Sequence, residues 1–173
     1  PEYSTLWRQV DPSIDKKIYK VRAKNSNVLE LLNTAPLGNI KQIHFYGGEP
    51  LLSNTHVDIL ELLNDKVDCS ELIVWYHSNG TCRASEKLLK FWEKFKRIEL
   101  YFSIDDIGPR LEYQRWPVVW QEIHDNMLWW RENLSHNVML QVETTVGVLN
   151  AYWITDLEEW HKTYFSSTKY KIG

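Results

Sequence analysis

Four segments rich in β-branched and aromatic residues recur along the chain: Lys41 to Tyr46, Glu71 to His77, Arg97 to Ile104 and Val138 to Val146. Each ends in small or polar residues and is followed by a stretch with helical periodicity, so the order strand, turn, helix repeats four times. Strands joined by helical crossovers run parallel, and this pattern narrows the fold to an α/β architecture. After the first strand, Ser53, Asn54 or Thr55 can cap a helix carrying Val57, Leu60 and Leu63 on one face. Ser85 can cap the next, with Leu88, Trp92 and Phe95 in line. Pro117 suits the first turn of a third, whose stripe is Val119, Ile123, Met127 and Trp130. Trp153, Leu157, Trp160 and Tyr164 form a fourth stripe, and one further helix is expected around Asn27 to Asn33.

Strand parity separates a barrel from an open sheet. In the third strand Glu99, Tyr101, Ser103 and Asp105 share one face while Leu100, Phe102 and Ile104 share the other. In the fourth, Gln141, Glu143 and Thr145 oppose Leu140, Val142 and Val146. A sheet covered by helices on both sides is apolar on both faces. A barrel wall with helices outside and a wet, ligand-bearing interior explains the polar face better. His44 and Tyr46 would join that lining.

The carboxyl ends of parallel strands form one rim, where ligands bind. The rim turns here are Gly47-Gly48-Glu49-Pro50, Ser78-Asn79-Gly80-Thr81, Ser103-Ile104-Asp105-Asp106 and Glu143-Thr144-Thr145. In the first, glycines take backbone angles other residues avoid and let a ligand approach the main chain, and Pro50 cannot continue a ladder. Glu49 is presented on that tight turn, either as a ligand group or as a solvated residue of an ordinary strand-to-helix connection.

A chain of 173 residues can bury one sizeable core, but it is small for a complete α/β barrel, which needs roughly 200 residues. The first residue is Pro1, and the reading is of one domain, 1–173, as a fragment of a larger one. A net charge of -3 from 20 basic and 23 acidic residues makes no bulk case for nucleic acid or an anionic membrane. No apolar run reaches the roughly 18 residues of a membrane span, and a soluble cytoplasmic protein is expected. Nine Trp and nine Tyr imply a bulky core or stacking surfaces for a flat ligand, with core filling preferred. Cys69 and Cys82 read as reduced structural thiols rather than a disulfide or metal pair. His44, His77, His124 and His161 read as satisfied or exposed histidines rather than metal ligands.

The ordered set Gly-Gly-Glu-Pro, Ser-Asn-Gly-Thr and Ser-Ile-Asp-Asp resembles the radical S-adenosylmethionine enzymes, over Lys41 to about Asn150. The likeness is to the branch with an auxiliary cluster-binding tail of the SPASM or twitch type, where an Arg follows the Ser-x-Asp segment; Arg115 or Arg110 fits. The resemblance implies a partial (β/α)6 barrel, with the four segments as its strands two to five and its first and last strands outside the chain. It implies that Gly47, Gly48, Glu49 and Pro50 form the turn that binds the methionyl ammonium of S-adenosylmethionine. Ser103 would contact its ribose or carboxylate, and Arg115 its carboxylate. Ser78, Asn79 and Asp105 would line the cofactor side, while Tyr46, Tyr101, Gln141, Glu143 and Thr145 would meet substrate.

That family holds a four-iron four-sulfur cluster on a C-x-x-x-C-x-x-C loop after the first strand, and no such loop occurs in these residues. The expectation is that the chain begins just after it, since Pro1-Glu2-Tyr3-Ser4-Thr5-Leu6-Trp7 is similar to the polar stretch that follows the last cysteine. The implied activity of the intact protein is reductive cleavage of S-adenosylmethionine to a 5′-deoxyadenosyl radical, which takes hydrogen from a small-molecule or peptide substrate; an electron donor must serve the cluster. Two other readings stand beside it. One is a catalytically silent binding module that has lost the cluster. The other is an unrelated sugar or nucleotide enzyme on a similar barrel, with Glu49 and Asp105 as its acidic pair.

Overall fold

The computed structural model describes residues 25–166 and 169–172; the Pro1 to Trp7 stretch lies outside them. The chain divides into two units between Ala35 and Pro36. In the first, α1 spans Asn25–Thr34, around the helix expected at Asn27 to Asn33. In the second, β1 (Gln42–Phe45), β2 (Ile73–Ser78), β3 (Arg97–Ser103), β4 (Val138–Thr144) and β5 (Lys169–Ile172) form one sheet. All neighbouring strands are parallel, and their order in the sheet is their order in the chain. Such an order has no reversal point, so it winds one way, as a barrel wall does. β5 extends the four strands expected from sequence by a fifth. Its Lys-Tyr-Lys-Ile run is too short and too charged to carry a strand signal.

Between the strands lie α2 (Thr55–Lys66), α3 (Glu86–Trp92), α4 (Gly108–Gln114), α5 (Trp120–Asn133) and α6 (Ile154–Phe165). The Ser85 hydroxyl accepts from the Leu88 N–H and caps α3, as expected. At α2 the Ser53 hydroxyl accepts from the Thr55 N–H. The connection after β3 differs from the sequence reading, because it holds two helices and Pro117 lies before the second rather than in its first turn. Pro109 instead occupies the first turn of α4. That helix buries only Leu111, too little to write a stripe into the sequence. In α6 the buried face is Leu157, Trp160, His161 and Phe165, so the expected stripe is rotated, and Trp153 and Tyr164 lie toward solvent.

Helices α2, α3 and α5 pack on one face of the sheet. Register aligns Phe45, Tyr76, Leu100 and Leu140 in one row, with Phe102 and Val142 in the next. His56 of α2 meets Phe45 and Tyr76, Trp92 of α3 meets Tyr76, and Trp130 of α5 meets both Trp92 and Phe102. Tyr76, Trp92, Phe102 and Trp130 are fully buried, so much of the aromatic load is core. The opposite face carries His44, Trp75, Glu99 and Met139 in one row, and His77, Tyr101 and Gln141 in the next. This is the polar face expected from parity.

Candidate functional site

The rim begins where β1 ends. Gly47 and Gly48 have φ of +85° and +57°, a region that costs an L side chain strain, and a Cβ on either would meet nothing within 4 Å. The backbone turns sharply there, and the space before it is open. Glu49 follows in an extended conformation and Pro50 starts a short 3-10 turn through Leu52.

The Glu49 carboxylate is fixed from two sides. Its Oε2 accepts from the Ser78 hydroxyl at 3.0 Å and the Asn79 N–H at 2.8 Å, both at the end of β2, and its Oε1 accepts from the Leu51 N–H at 3.3 Å. Burial raises its pKa, and the three donors pull the other way, Asn79 most strongly. Ser78 is buried and Oγ also accepts from the Gly80 N–H. The Asn79 side chain accepts from the Thr81 N–H and hydroxyl, closing its own turn. Ser78 and Asn79 therefore sit beside Glu49 as holders of its carboxylate.

At the end of β3, Asp105 and Arg115 meet. Asp105 Oδ2 is 2.7 Å from Arg115 Nε and 2.6 Å from its Nη2, while Oδ1 accepts from the Thr145 N–H at 3.0 Å. Asp105 thus ties three rim segments together, and the Arg115 fork is already engaged by a carboxylate. Arg110, the other sequence candidate, is paired with buried Asp106 and with Asp156. Thr145 falls one residue beyond β4. Ser103 pairs in register with Glu143 at the last rung between β3 and β4.

Below the rim, Glu99 is buried against Arg97 at 2.8 Å, accepts from the Tyr101 hydroxyl at 2.6 Å and lies 3.3 Å from Gln141 Nε2. Burial first, and the Glu99 bond next, push the Tyr101 phenol well above its ordinary pKa. His77 Nδ1 is 3.5 Å from Glu143. The rings of this face stack: Tyr46 on His77 at 4.3 Å, His77 on Tyr101 at 5.0 Å, His44 on Trp75 at 4.8 Å and Trp75 on Tyr101 at 5.1 Å. The sequence reading did not single out Trp75 as a lining residue. The signal was its in-register parity with Glu99, masked in β2 because both faces of that strand are aromatic.

The acceptors at the first turn, one carboxylate beside two open glycines, suit a cationic ammonium. A cluster finds no ligands here: among the described residues no group of three His, Cys, Asp or Glu could hold a metal ion. Cys69 precedes β2 and Cys82 follows it, so the strand separates them, and both are free thiols. Among the described residues no helix is long and apolar enough to cross a membrane.

The sequence matches no protein-family model and no curated protein. In three dimensions it is similar to anSMEcpe. Native anSMEcpe with bound AdoMet aligns with a TM-score of 0.59 at 17% identity, covering 86% of this chain and 41% of that one. Native anSMEcpe with bound AdoMet and the Cp18Cys peptide aligns at 0.58 and 17% identity, with coverages of 86% and 41%. The fold is thus that of part of a radical S-adenosylmethionine partial barrel, and the chain spans 41% of the length of the first of these structures.

Proposed function

We propose that this chain is the central part of the core domain of a radical S-adenosylmethionine enzyme, in which Gly47, Gly48 and Glu49 hold the methionyl ammonium of the cofactor. The observation that carries the reading is the Glu49 carboxylate, held by donors from two consecutive rim turns beside two left-handed glycines open to solvent. Ser78 and Asn79 orient Glu49 and favour its charged form against the burial that raises its pKa. Ser103 and Arg115 lie on the same rim for the ribose and carboxylate, Arg115 sharing its guanidinium with Asp105. When bound at a reduced four-iron four-sulfur cluster, S-adenosylmethionine supplies a 5′-deoxyadenosyl radical that removes a hydrogen atom from substrate. Cluster ligands belong to a segment outside these 173 residues, and reduction calls for an electron donor. The polar inner face is the substrate side, with Tyr46, Tyr101, Gln141 and Glu143 on it. The peptide in one anSMEcpe structure supports a peptide or protein as substrate.

The test is to express the full reading frame anaerobically, reconstitute it with iron and sulfide, and assay 5′-deoxyadenosine under reduction. A cluster-loaded protein that forms none refutes the proposal. A reading frame whose natural start precedes Pro1 without a C-x-x-x-C-x-x-C would replace it by the silent binding module.

A further inference from the structure

The turn that grips Glu49 is itself gripped from the helix layer. Residues 79–85, between β2 and α3, form neither helix nor strand, and Gly80 is buried among them, so its carbonyl needs a partner from elsewhere. Helix α5 supplies it. Asn126 Nδ2 donates to the Gly80 carbonyl at 3.0 Å, and Trp130 Nε1, one helical turn further on, donates to the Cys82 carbonyl at 2.9 Å. Ile123, on the same side of α5, lies beside Gly80. Arg83 of the loop donates from Nε to Asn126 Oδ1 at 2.7 Å. A guanidinium can only donate, so this bond fixes the amide's orientation and leaves Nδ2 for the carbonyl. Gly80 connects the anchor to the carboxylate. Its N–H donates to Ser78 Oγ at 3.0 Å, and Ser78 Oγ donates to Glu49 Oε2 at 3.0 Å. Asn79, which precedes it, gives its N–H to the same oxygen at 2.8 Å. A glycine is the freest residue of a turn, and holding its carbonyl settles the peptide planes around it.

We propose that Asn126 is a positioning residue for Glu49: by holding the Gly80 carbonyl it keeps the Asn79 N–H and the Ser78 hydroxyl on the carboxylate, and so sets how readily Glu49 accepts a cation. That the cation is the methionyl ammonium rests on the function proposed above; the hold on Glu49 does not. Removing the Asn126 amide frees the turn, and the two donors withdraw from Oε2. The charged form then loses interactions that oppose its burial, so Glu49 takes up a proton at higher pH. Asn137 is the matching case of an amide with a purely structural task. Its Oδ1 accepts from Ser135 Oγ at 2.9 Å, and its Nδ2 donates to the carbonyls of Trp92 and Phe95, both at 2.9 Å. It lies just before β4, at the opposite end of the strands from the rim.

The experiment uses the full-length protein with isotope-labelled glutamate carboxyls, titrated by NMR, the Glu49 signal being identified by its loss in Glu49→Gln. In Asn126→Ala the Glu49 titration should move to higher pH, whereas in Asn137→Ala it should stay at the wild-type position. Calorimetry at neutral pH should show S-adenosylmethionine binding about five-fold more weakly to Asn126→Ala and unchanged in Asn137→Ala. Both variants should lower the urea midpoint, so stability alone does not distinguish them and the titration does. A Glu49 titration unmoved in Asn126→Ala, or moved equally in Asn137→Ala, overturns the proposal. A wild-type protein that binds no S-adenosylmethionine removes the cofactor reading alone, because the carboxyl titration still reports the hold on Glu49. Alanine is a better helix former than asparagine, so Asn126→Ala should fold. If thermal melting shows that it does not, Asn126→Ser, whose hydroxyl stops short of the amide nitrogen's reach, takes its place in both measurements.

Discussion

Glu49 and Asn79, thirty residues apart in sequence, are joined by a 2.8 Å bond from a backbone N–H to a carboxylate oxygen. The bond locks the turn after β1 to the turn after β2 and fixes the carboxylate at the rim. It makes the carboxylate a preorganised acceptor, so a cation gains the interaction without ordering the side chain first.

Binding of S-adenosylmethionine should therefore depend on the Glu49 charge. Burial raises this carboxyl above its ordinary 4.5, and a protonated Glu49 loses its attraction for an ammonium. Affinity measured by calorimetry in the full-length protein should hold near neutrality and fall as pH drops, the loss beginning above pH 4.5. Glu49→Gln should bind about ten- to hundred-fold more weakly at neutral pH and lose this dependence. For folding the sign is opposite, since an acid whose pKa rises in the fold stabilises most at low pH and less as pH climbs through the folded pKa. Cofactor binding that strengthens on acidification would contradict the assignment.

Gly48 and Gly80 should respond differently to alanine. Both have positive φ, +57° at Gly48, within the left-handed well open to L residues, and +80° at Gly80, beyond it. A Cβ at Gly48 meets open space and one at Gly80 makes ordinary van der Waals contact with Ile123 Cγ2 at 3.4 Å, so backbone strain decides. Gly48→Ala should cost about 1 kcal/mol of stability, and Gly80→Ala more, by urea denaturation. The reverse ranking would show that the cost lies elsewhere than in backbone strain.

The Asp105 and Arg115 pair can be tested by a double-mutant cycle. Both side chains are largely buried, at 16% and 25% exposure. Arg115→Met should cost about 2–3 kcal/mol by leaving a carboxylate unmatched, and adding Asp105→Asn should restore part of the loss. A coupling energy near zero would mean the contact is incidental to the fold.

His56 should make the fold acid-sensitive. It is buried, its Nδ1 lies 2.9 Å from the Tyr76 hydroxyl, and burial lowers its pKa from 6.5 to about 4 against an opposing pull from Asp58. The neutral ring is the folded form, so its contribution is complete above pH 6.5 and is lost as pH falls toward 4. The loss is at most about 3 kcal/mol. Urea midpoints should drop over that window in wild type, and the drop should shrink in His56→Gln; an unchanged slope would assign the acid sensitivity to other groups.

Where periodicity is strong, the elements are legible in the sequence. Strands β1 to β4, helices α1, α2, α3 and α5 and the polar inner face follow from alternation and stripe, because burial of one face writes a period into the residues. α4 and β5 were not legible. One buries a single leucine, and the other is four residues with two lysines, so neither leaves a pattern.

The rim residues were legible as types and places but not as partners. Sequence order put Gly47, Gly48 and Glu49 at a strand end, and local chemistry explains why glycines stand there. Which side chains Glu49 meets, that Arg115 is held by Asp105, and that five rings align into one wall are consequences of register between strands. Parallel register is set by crossover helices packing on the far face, through contacts between residues tens of positions apart. A linear pattern carries the identity of each lining residue; only the assembled sheet decides which of them touch.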